Sequence, residues 1–198
     1  MGPCHNEEPR VLVLTAPVDP TADVVIRHLT AVGVPFARFD AAQFPRETSL
    51  TATLDADGWR ACLGGVRLDG LHSVYYRRPR RFAFDPAIPT EQLNWCEGQA
   101  RYGFWGVLEN LAVTWINPPN AVQRAEYKPR QLRLTRQVGL SVPPTMITSC
   151  PGDVTAFAAA VGGLIVTKAL YARTPRDANG YPTGVLYTAD DDSCVRLS

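Results

Sequence analysis

The chain has 198 residues and is short of lysine: of its 20 basic side chains, 18 are arginine and only Lys128 and Lys168 are lysine. Net charge is scarce too. Twenty basic against 19 acidic residues leave +1, which argues against a module that grips nucleic acid mainly through phosphates. No apolar run reaches the roughly 18 residues of a membrane-spanning helix, and the longest candidate, 104–116, is interrupted by Glu109 and Asn110. The opening MGPCHNEEPR lacks the basic start and apolar stretch of a secretory signal, and Asn6 stands where myristoylation requires Ser or Thr. These absences predict a cytoplasmic protein. The five cysteines (Cys4, Cys62, Cys96, Cys150, Cys194) are odd in number and far apart, which suits neither a disulfide framework nor a zinc site. His5, His28 and His72 are isolated, so a catalytic transition metal has no evident home. Missing as well are GxGxxG and GxxxxGK[ST], which disfavours the usual dinucleotide site and the P-loop.

What is present alternates strand and helix signals. Arg10–Thr15 is a short apolar run suited to a buried parallel strand, and Asp19-Pro20 supplies an N-cap followed by proline at the first helical position. The helix begun there is expected to bury Val24, Val25, Leu29 and Val32 and to stop at Gly33. A second strand at Pro35–Asp40 completes a β–α–β unit of the kind that builds a doubly wound sheet. Ser49–Leu54 and Trp59–Leu68 read as antiparallel strands, with turns at Asp57-Gly58 and Gly64-Gly65. Ser73–Arg77 is a further strand, ending in the one local basic cluster, Arg77-Arg78-Pro79-Arg80-Arg81. A long helix over Glu91–Leu111 is expected to bury Leu93, Trp95, Tyr102, Trp105 and Leu108, before a strand at Trp115–Asn117.

Pro118-Pro119 marks a boundary, with Asn117 placed to cap the next helical segment. Beyond it, Asn120–Val138 is helical, interrupted at Pro129 and ended by Gly139. Short strands are expected at Thr145–Thr148, Leu164–Leu170 and Val185–Thr188, with a small helix at Asp153–Val161 and a polar stretch at Tyr171–Pro182.

Lys168 lies in an apolar strand pattern, between Ile165-Val166 and Ala169-Leu170. A strand lysine either faces solvent or meets an anion, since an isolated buried ammonium is costly. Lys128 precedes a proline at the end of a helical segment, where a solvated lysine is common. Arginine presents a wide planar fork where lysine offers a slender point charge, so a site needing one compact cation would resist a drift toward arginine. Asp190-Asp191-Asp192 reads as a turn or solvated loop rather than a metal cluster.

The run NPPNAVQRAEYKPRQL (117–132), then VGLSVPPT (138–145), then IVTKAL (165–170), resembles the ATP-grasp superfamily where a pre-ATP-grasp domain meets the nucleotide-binding subdomain. There a lysine precedes a helix ending in a "GL.VP.T" pattern and a second lysine comes on a strand about 40 residues later; here the spacing is 168 − 128 = 40. With VLVLT near the start and SVYYRRPRRF at 73–82, the chain is similar to the ATP-grasp ribosomal peptide maturases, the microviridin-type or graspetide ligases, from about Arg10 to Ser198.

The resemblance implies an α/β fold: a Rossmann-like pre-ATP-grasp domain over 1–117, then the first part of an ATP-grasp nucleotide-binding subdomain over 118–198. It implies an ATP-dependent carboxylate–amine or carboxylate–hydroxyl ligase that closes side-chain lactones or lactams in a ribosomal precursor peptide. Lys128 and Lys168 fall on the two positions that hold ATP phosphates, and Arg77 and Arg78 are placed to offer forked donors to an acidic peptide. The partners implied are the precursor peptide and ATP, with no nucleic acid and no membrane, and a homodimer is allowed. In the family the magnesium ligands and the adenine hinge come after a segment like Val195–Ser198, so Mg2+ ligands are expected beyond residue 198, no catalytic or metal residue is assigned, and the chain reads as the front portion of a longer ligase. Two further readings stand beside this one: a non-catalytic remnant that keeps peptide binding, and a single-stranded nucleic-acid binder using Tyr75, Tyr76, Arg77–Arg81 and Phe82.

Overall fold

The first strand, β1 (Val11–Thr15), is buried on both faces, as its unbroken apolar run predicts. This computed structural model describes residues 8–56, 58–168 and 170, with the backbone of 188–189. Leu12 and Leu14 point to one side of β1 and join the main core cluster; Val13, equally buried, has the opposite parity and lies outside that cluster. The chain then turns into α1 (Pro20–Ala31), where the Asp19 side chain accepts from the amides of Thr21 and Ala22, both at 3.0 Å. That is the predicted cap. The predicted apolar face needs correction: Ala22 is buried and Val25, Ile26 and Leu29 are half-buried, while Val24 is 56% exposed and Val32, past the helix end, is exposed as well. At 100° per residue Val24 lies on the back of the helix from Ala22, so its apolar character does not put it in the core.

Next, β2 (Phe36–Phe39) pairs parallel with β1, and Asp40 caps a single 3-10 turn at Ala41–Gln43. β3 (Leu50–Asp55), β4 (Gly58–Leu63) and β5 (Val66–Arg67) form a small antiparallel sheet. The β4–β5 turn needs both Gly64 and Gly65 at positive φ, 57° and 85°; Asp57, expected in the preceding turn, lies outside the described residues. The chain returns to pair β6 (Ser73–Arg77) parallel with β1 on the side away from β2, runs through α2 (Thr90–Glu109), and adds β7 (Thr114–Ile116) beside β6. The order is β2-β1-β6-β7, all parallel. The core lies between Leu12, Leu14 and Val74 of this sheet, Ala61 and Leu63 of the hairpin, and Phe104 and Leu108 of α2.

α2 departs from the expected face in the same way as α1. Ala100, Phe104 and Leu108, spaced by four, are buried, and Leu93 and Trp105 are half-buried. Trp95 and Tyr102, however, are 68% and 74% exposed. Nine residues separate Trp95 from Phe104, two and a half helical turns, so the two must lie on opposite sides.

The described structure divides into two compact units, Met1–Pro119 and Asn120–Ser198. At and beyond this division come α3 (Pro119–Glu126), α4 (Lys128–Gln137), α5 (Pro151–Val161), and a two-residue antiparallel pair, β8 (Val166–Thr167) with β9 (Thr188–Ala189). The helical break falls at Tyr127 rather than Pro129, because a proline in the first turn of a new helix needs no amide donor. Lys128 therefore opens a helix rather than closing one. Thr145–Thr148 forms no strand. Pro143 and Pro144 have no backbone N–H to donate, Thr145 Oγ1 donates to Pro143 O at 2.9 Å, and Thr148 Oγ1 accepts from Cys150 N at 2.9 Å, so side chains take up nearby backbone groups here. The strand expected over Leu164–Leu170 is confined to β8, and Lys168 stands just past its end. Of the strand expected at Val185–Thr188, Thr188 belongs to β9 and 185–187 lie outside the described residues, as do Cys4, His5, the whole of the polar stretch Tyr171–Pro182, Asp190–Asp192, Cys194 and Val195–Ser198.

Candidate functional site

In an open parallel sheet, the crevice for a ligand forms at the carboxyl ends of neighbouring strands whose connections leave in opposite directions. Here β1 leads through α1 to β2 on one side, while β6 leads through α2 to β7 on the other. The switch point therefore lies between the ends of β1 and β6, where Thr15 pairs in register with Arg77. Asp19, one turn beyond Thr15, is buried and heavily engaged. Besides its two amide donors it accepts from Thr15 Oγ1 at 3.4 Å and faces Arg77 Nε at 3.3 Å. The amide of Ala22 first, and then the Arg77 guanidinium, hold its carboxyl below the ordinary aspartate range. Arg77 is fixed on its other arm by Nη2 donating to Thr21 Oγ1 at 3.0 Å.

The end of β2 repeats the arrangement. Asp40 is buried, caps its 3-10 turn through Ala42 N at 3.2 Å, and accepts from Arg80 Nε at 2.7 Å. Hydrogen bonding to Asp40 raises the Arg80 guanidinium above its ordinary value. Arg38 ties these ends together, with Nη1 on Asp23 Oδ1 and Nη2 on the carbonyl of Ala16, both at 2.7 Å. The basic run therefore divides. Arg77 and Arg80 each pair with a buried aspartate, Arg77 half-buried and Arg80 exposed; Arg78 and Arg81 are exposed and make no ion pair among the described residues. Arg78 also has φ 45°, the one non-glycine at positive φ among the described residues, a strained turn at the mouth of the switch point.

A depressed carboxyl stabilises the fold above the unfolded aspartate pKa of about 4 and loses that contribution as pH falls through the lower folded value. The urea midpoint of the wild-type chain should therefore decline below about pH 4. Asp19→Asn keeps a capping side chain but has no proton to take up, so its midpoint should decline less steeply over the same range. Parallel curves would remove Asp19 as a source of the acid sensitivity.

Lys128 and Lys168 both belong to the second unit, and Arg77 and Arg78 to the first. Lys128 is half-buried as the first residue of α4, and Lys168 is exposed. Among the described residues no group of three or more His, Cys, Asp or Glu stands close enough to hold a metal ion, and no helix is long and apolar enough to cross a membrane. Sequence reasoning gives Asp40 no role, reads Asp19 only as a cap, and names Arg80 only within the basic cluster of the nucleic-acid reading. Their signal is nevertheless available, since each aspartate directly follows or closely trails a buried parallel strand, where switch-point residues sit.

The family described as the MvdD pre-ATP grasp domain matches residues 10–123. Among solved structures, the chain is similar to a RiPP-associated ATP-grasp ligase of Chryseobacterium gregarium, in complex with ADP and a leader and core peptide. The TM-score is 0.82 at 20% identity, over 92% of this chain and 57% of that one. The macrocyclase MdnC of Microcystis aeruginosa MRC, bound with its precursor peptide MdnA, aligns with a TM-score of 0.79 at 22% identity, over 90% and 60%. The ATP-grasp ligase PsnB, complexed with a phosphomimetic variant of its minimal precursor, Mg and ADP, aligns at 0.64 and 26% identity, over 88% and 59%. The chain thus spans about 60% of the length of these proteins. No curated protein matches.

Proposed function

The chain belongs to the MvdD pre-ATP grasp family, and from that premise we propose that it serves ATP-dependent ligation of side chains in a ribosomal precursor peptide. Residues 1–117 act as the pre-ATP-grasp domain and 118–198 contribute to nucleotide binding. ATP supplies the phosphoryl group that turns a peptide Asp or Glu carboxylate into an acyl phosphate; a Ser or Thr hydroxyl, or a Lys amine, of the same peptide then displaces phosphate and closes a lactone or lactam. Arg78, at the open mouth of the switch point and backed by Arg77 on Asp19, receives peptide carboxylates through its fork.

The observation that carries this reading is the place of Lys128. A lysine in the first turn of a helix faces the positive end of the helix dipole, an unfavourable position unless an anion is held there. A nucleotide phosphate is such an anion, and a second ammonium, Lys168, lies in the same unit. Phosphoryl transfer depends chiefly on positioning and on neutralising the phosphate oxygens, the task of two point-charge lysines. Mg2+ would accompany the nucleotide and neutralise its phosphate oxygens; among the described residues no group of three or more His, Cys, Asp or Glu is placed to hold it.

The test is peptide-dependent ADP release together with mass spectrometry of the peptide. Each ring closed removes the mass of one water. ADP release without any such loss would overturn the ligation reading, because acyl phosphate formation alone ends in hydrolysis and an unchanged peptide.

A further inference from the structure

A groove of about 530 Å3 opens where β6 ends, between the segment Tyr76–Phe82 and the outward side of α2. Its cations are Arg80, Arg81 and Arg101, and its carboxylate is Glu97. Asp40 neutralises Arg80. Arg81 and Arg101 make no ion pair among the described residues, and Arg101 is steadied over the Tyr102 ring at 5.2 Å. Gly98 lines it without a side chain, at a point where a Cβ would meet nothing within 4 Å, and Trp105 adds an apolar ring to the lining. Tyr102, 74% exposed, adds another.

Resting on the ligase reading above, we propose that this groove is the docking surface for a carboxylate-bearing segment of the peptide substrate. Arg81 and Arg101 pair with its acidic side chains, and Trp105 and Tyr102 cover its apolar ones. Three observations favour that occupant. After internal pairing the groove keeps an excess of guanidinium, the side chain that meets carboxylates bidentately. The groove begins at the carboxyl end of β6, the same end of the sheet that carries Arg78, so one extended segment can run from groove to switch point. Two rings of the basic segment, Tyr76 and Phe82, are also poorly placed for nucleic acid. Tyr76 meets Trp105 edge-on with centroids 5.7 Å apart, and Phe82 packs at 5.3 Å on buried Phe104, so these rings do not present free faces for base stacking.

Fluorescence anisotropy with the full chain tests this. The probes are a short fluorescein-labelled peptide of Glu, Asp, Thr and Tyr, its Gln/Asn counterpart, and a labelled single-stranded thymidine oligomer. The acidic peptide should bind about tenfold more tightly than its amide counterpart, and Arg81→Ala/Arg101→Ala should remove about that tenfold. Both arginines are exposed, so circular dichroism should be unchanged, and Arg133→Ala on α4 should bind like wild type. Equal affinity for the acidic and amide peptides would overturn the proposal, and so would preference for the oligomer. A sedimenting dimer that Arg101→Ala dissociates would do the same, by giving the groove to a second copy. Affinity for AMP-PNP, measured on the same samples, separates the two claims: intact peptide binding without nucleotide binding counts against the ligase reading alone, and intact nucleotide binding with no acidic preference counts against the groove alone.

Discussion

Phe104→Ala should destabilise the first unit by about 3–5 kcal/mol, the cost of emptying a fully buried aromatic site that cannot collapse. Phe104 is completely buried at the meeting point of separate chain segments. Its ring stands 5.9 Å from Phe39 at the end of β2, 5.3 Å from Phe44 beyond the 3-10 turn, 5.3 Å from Phe82 in the basic run, and 5.0 Å from Trp105. None of these rings is carried by the same rigid element as all the others, so the cavity would loosen every one of them. The check is the urea midpoint at constant denaturant slope. Trp95→Ala, nine residues earlier on the opposite side of α2, should shift stability by no more than about 0.5 kcal/mol. Similar losses for both would mean that the buried face of α2 is wrongly assigned. The consequence reaches the site: Phe82 anchors the segment carrying Arg80 and Arg81, so Phe104→Ala should also weaken whatever those arginines hold.

The contrast within α2 marks what the sequence can and cannot disclose. The helix itself, its length and its strand neighbours are legible, because strands with unbroken apolar runs and a helix with a proline-preceded start leave local signals. The parallel pairing of β1 with β2 is legible too, from the β–α–β spacing. Which face of α2 goes inward is harder, since Trp95, Tyr102, Phe104 and Trp105 spread aromatic character around the helix, and only tertiary fit selects Phe104. Angular bookkeeping would nevertheless separate Trp95 from Leu108. At the site, Arg77 and Arg78 are visible as a cluster, but their division of labour is not. That one turns inward and its neighbour outward depends on Asp19, just as the pairing of Arg80 depends on Asp40, and these aspartates lie 58 and 40 residues from their arginine partners. In the second unit, sequence reasoning fails where side chains satisfy local backbone groups, as at Thr145 and Thr148, because strand propensity says nothing about such competition.

Lys128 offers a prediction in which stability and binding move in opposite directions. An ammonium at the first position of α4 opposes the helix dipole by about 0.3–1 kcal/mol, so Lys128→Ala should leave the fold unharmed or slightly more stable. A charge-assisted contact to a phosphate, on the other hand, is worth about 1.5–3 kcal/mol, and its loss should weaken AMP-PNP binding about tenfold to a hundredfold. Lys168→Ala should weaken nucleotide binding to a similar degree. Lys128→Arg separates charge from shape. It keeps the cation, but its planar fork cannot occupy a slot formed for a compact ammonium, so affinity should stay well below wild type. Isothermal titration with AMP-PNP and Mg2+, beside urea unfolding of the same variants, reads both effects. A lysine that served only as solvated surface would give the reverse pattern, with unchanged affinity in all three variants. Restored affinity in Lys128→Arg alone would mean that charge at the start of α4 suffices, and that the scarcity of lysine in this chain carries no information about the site.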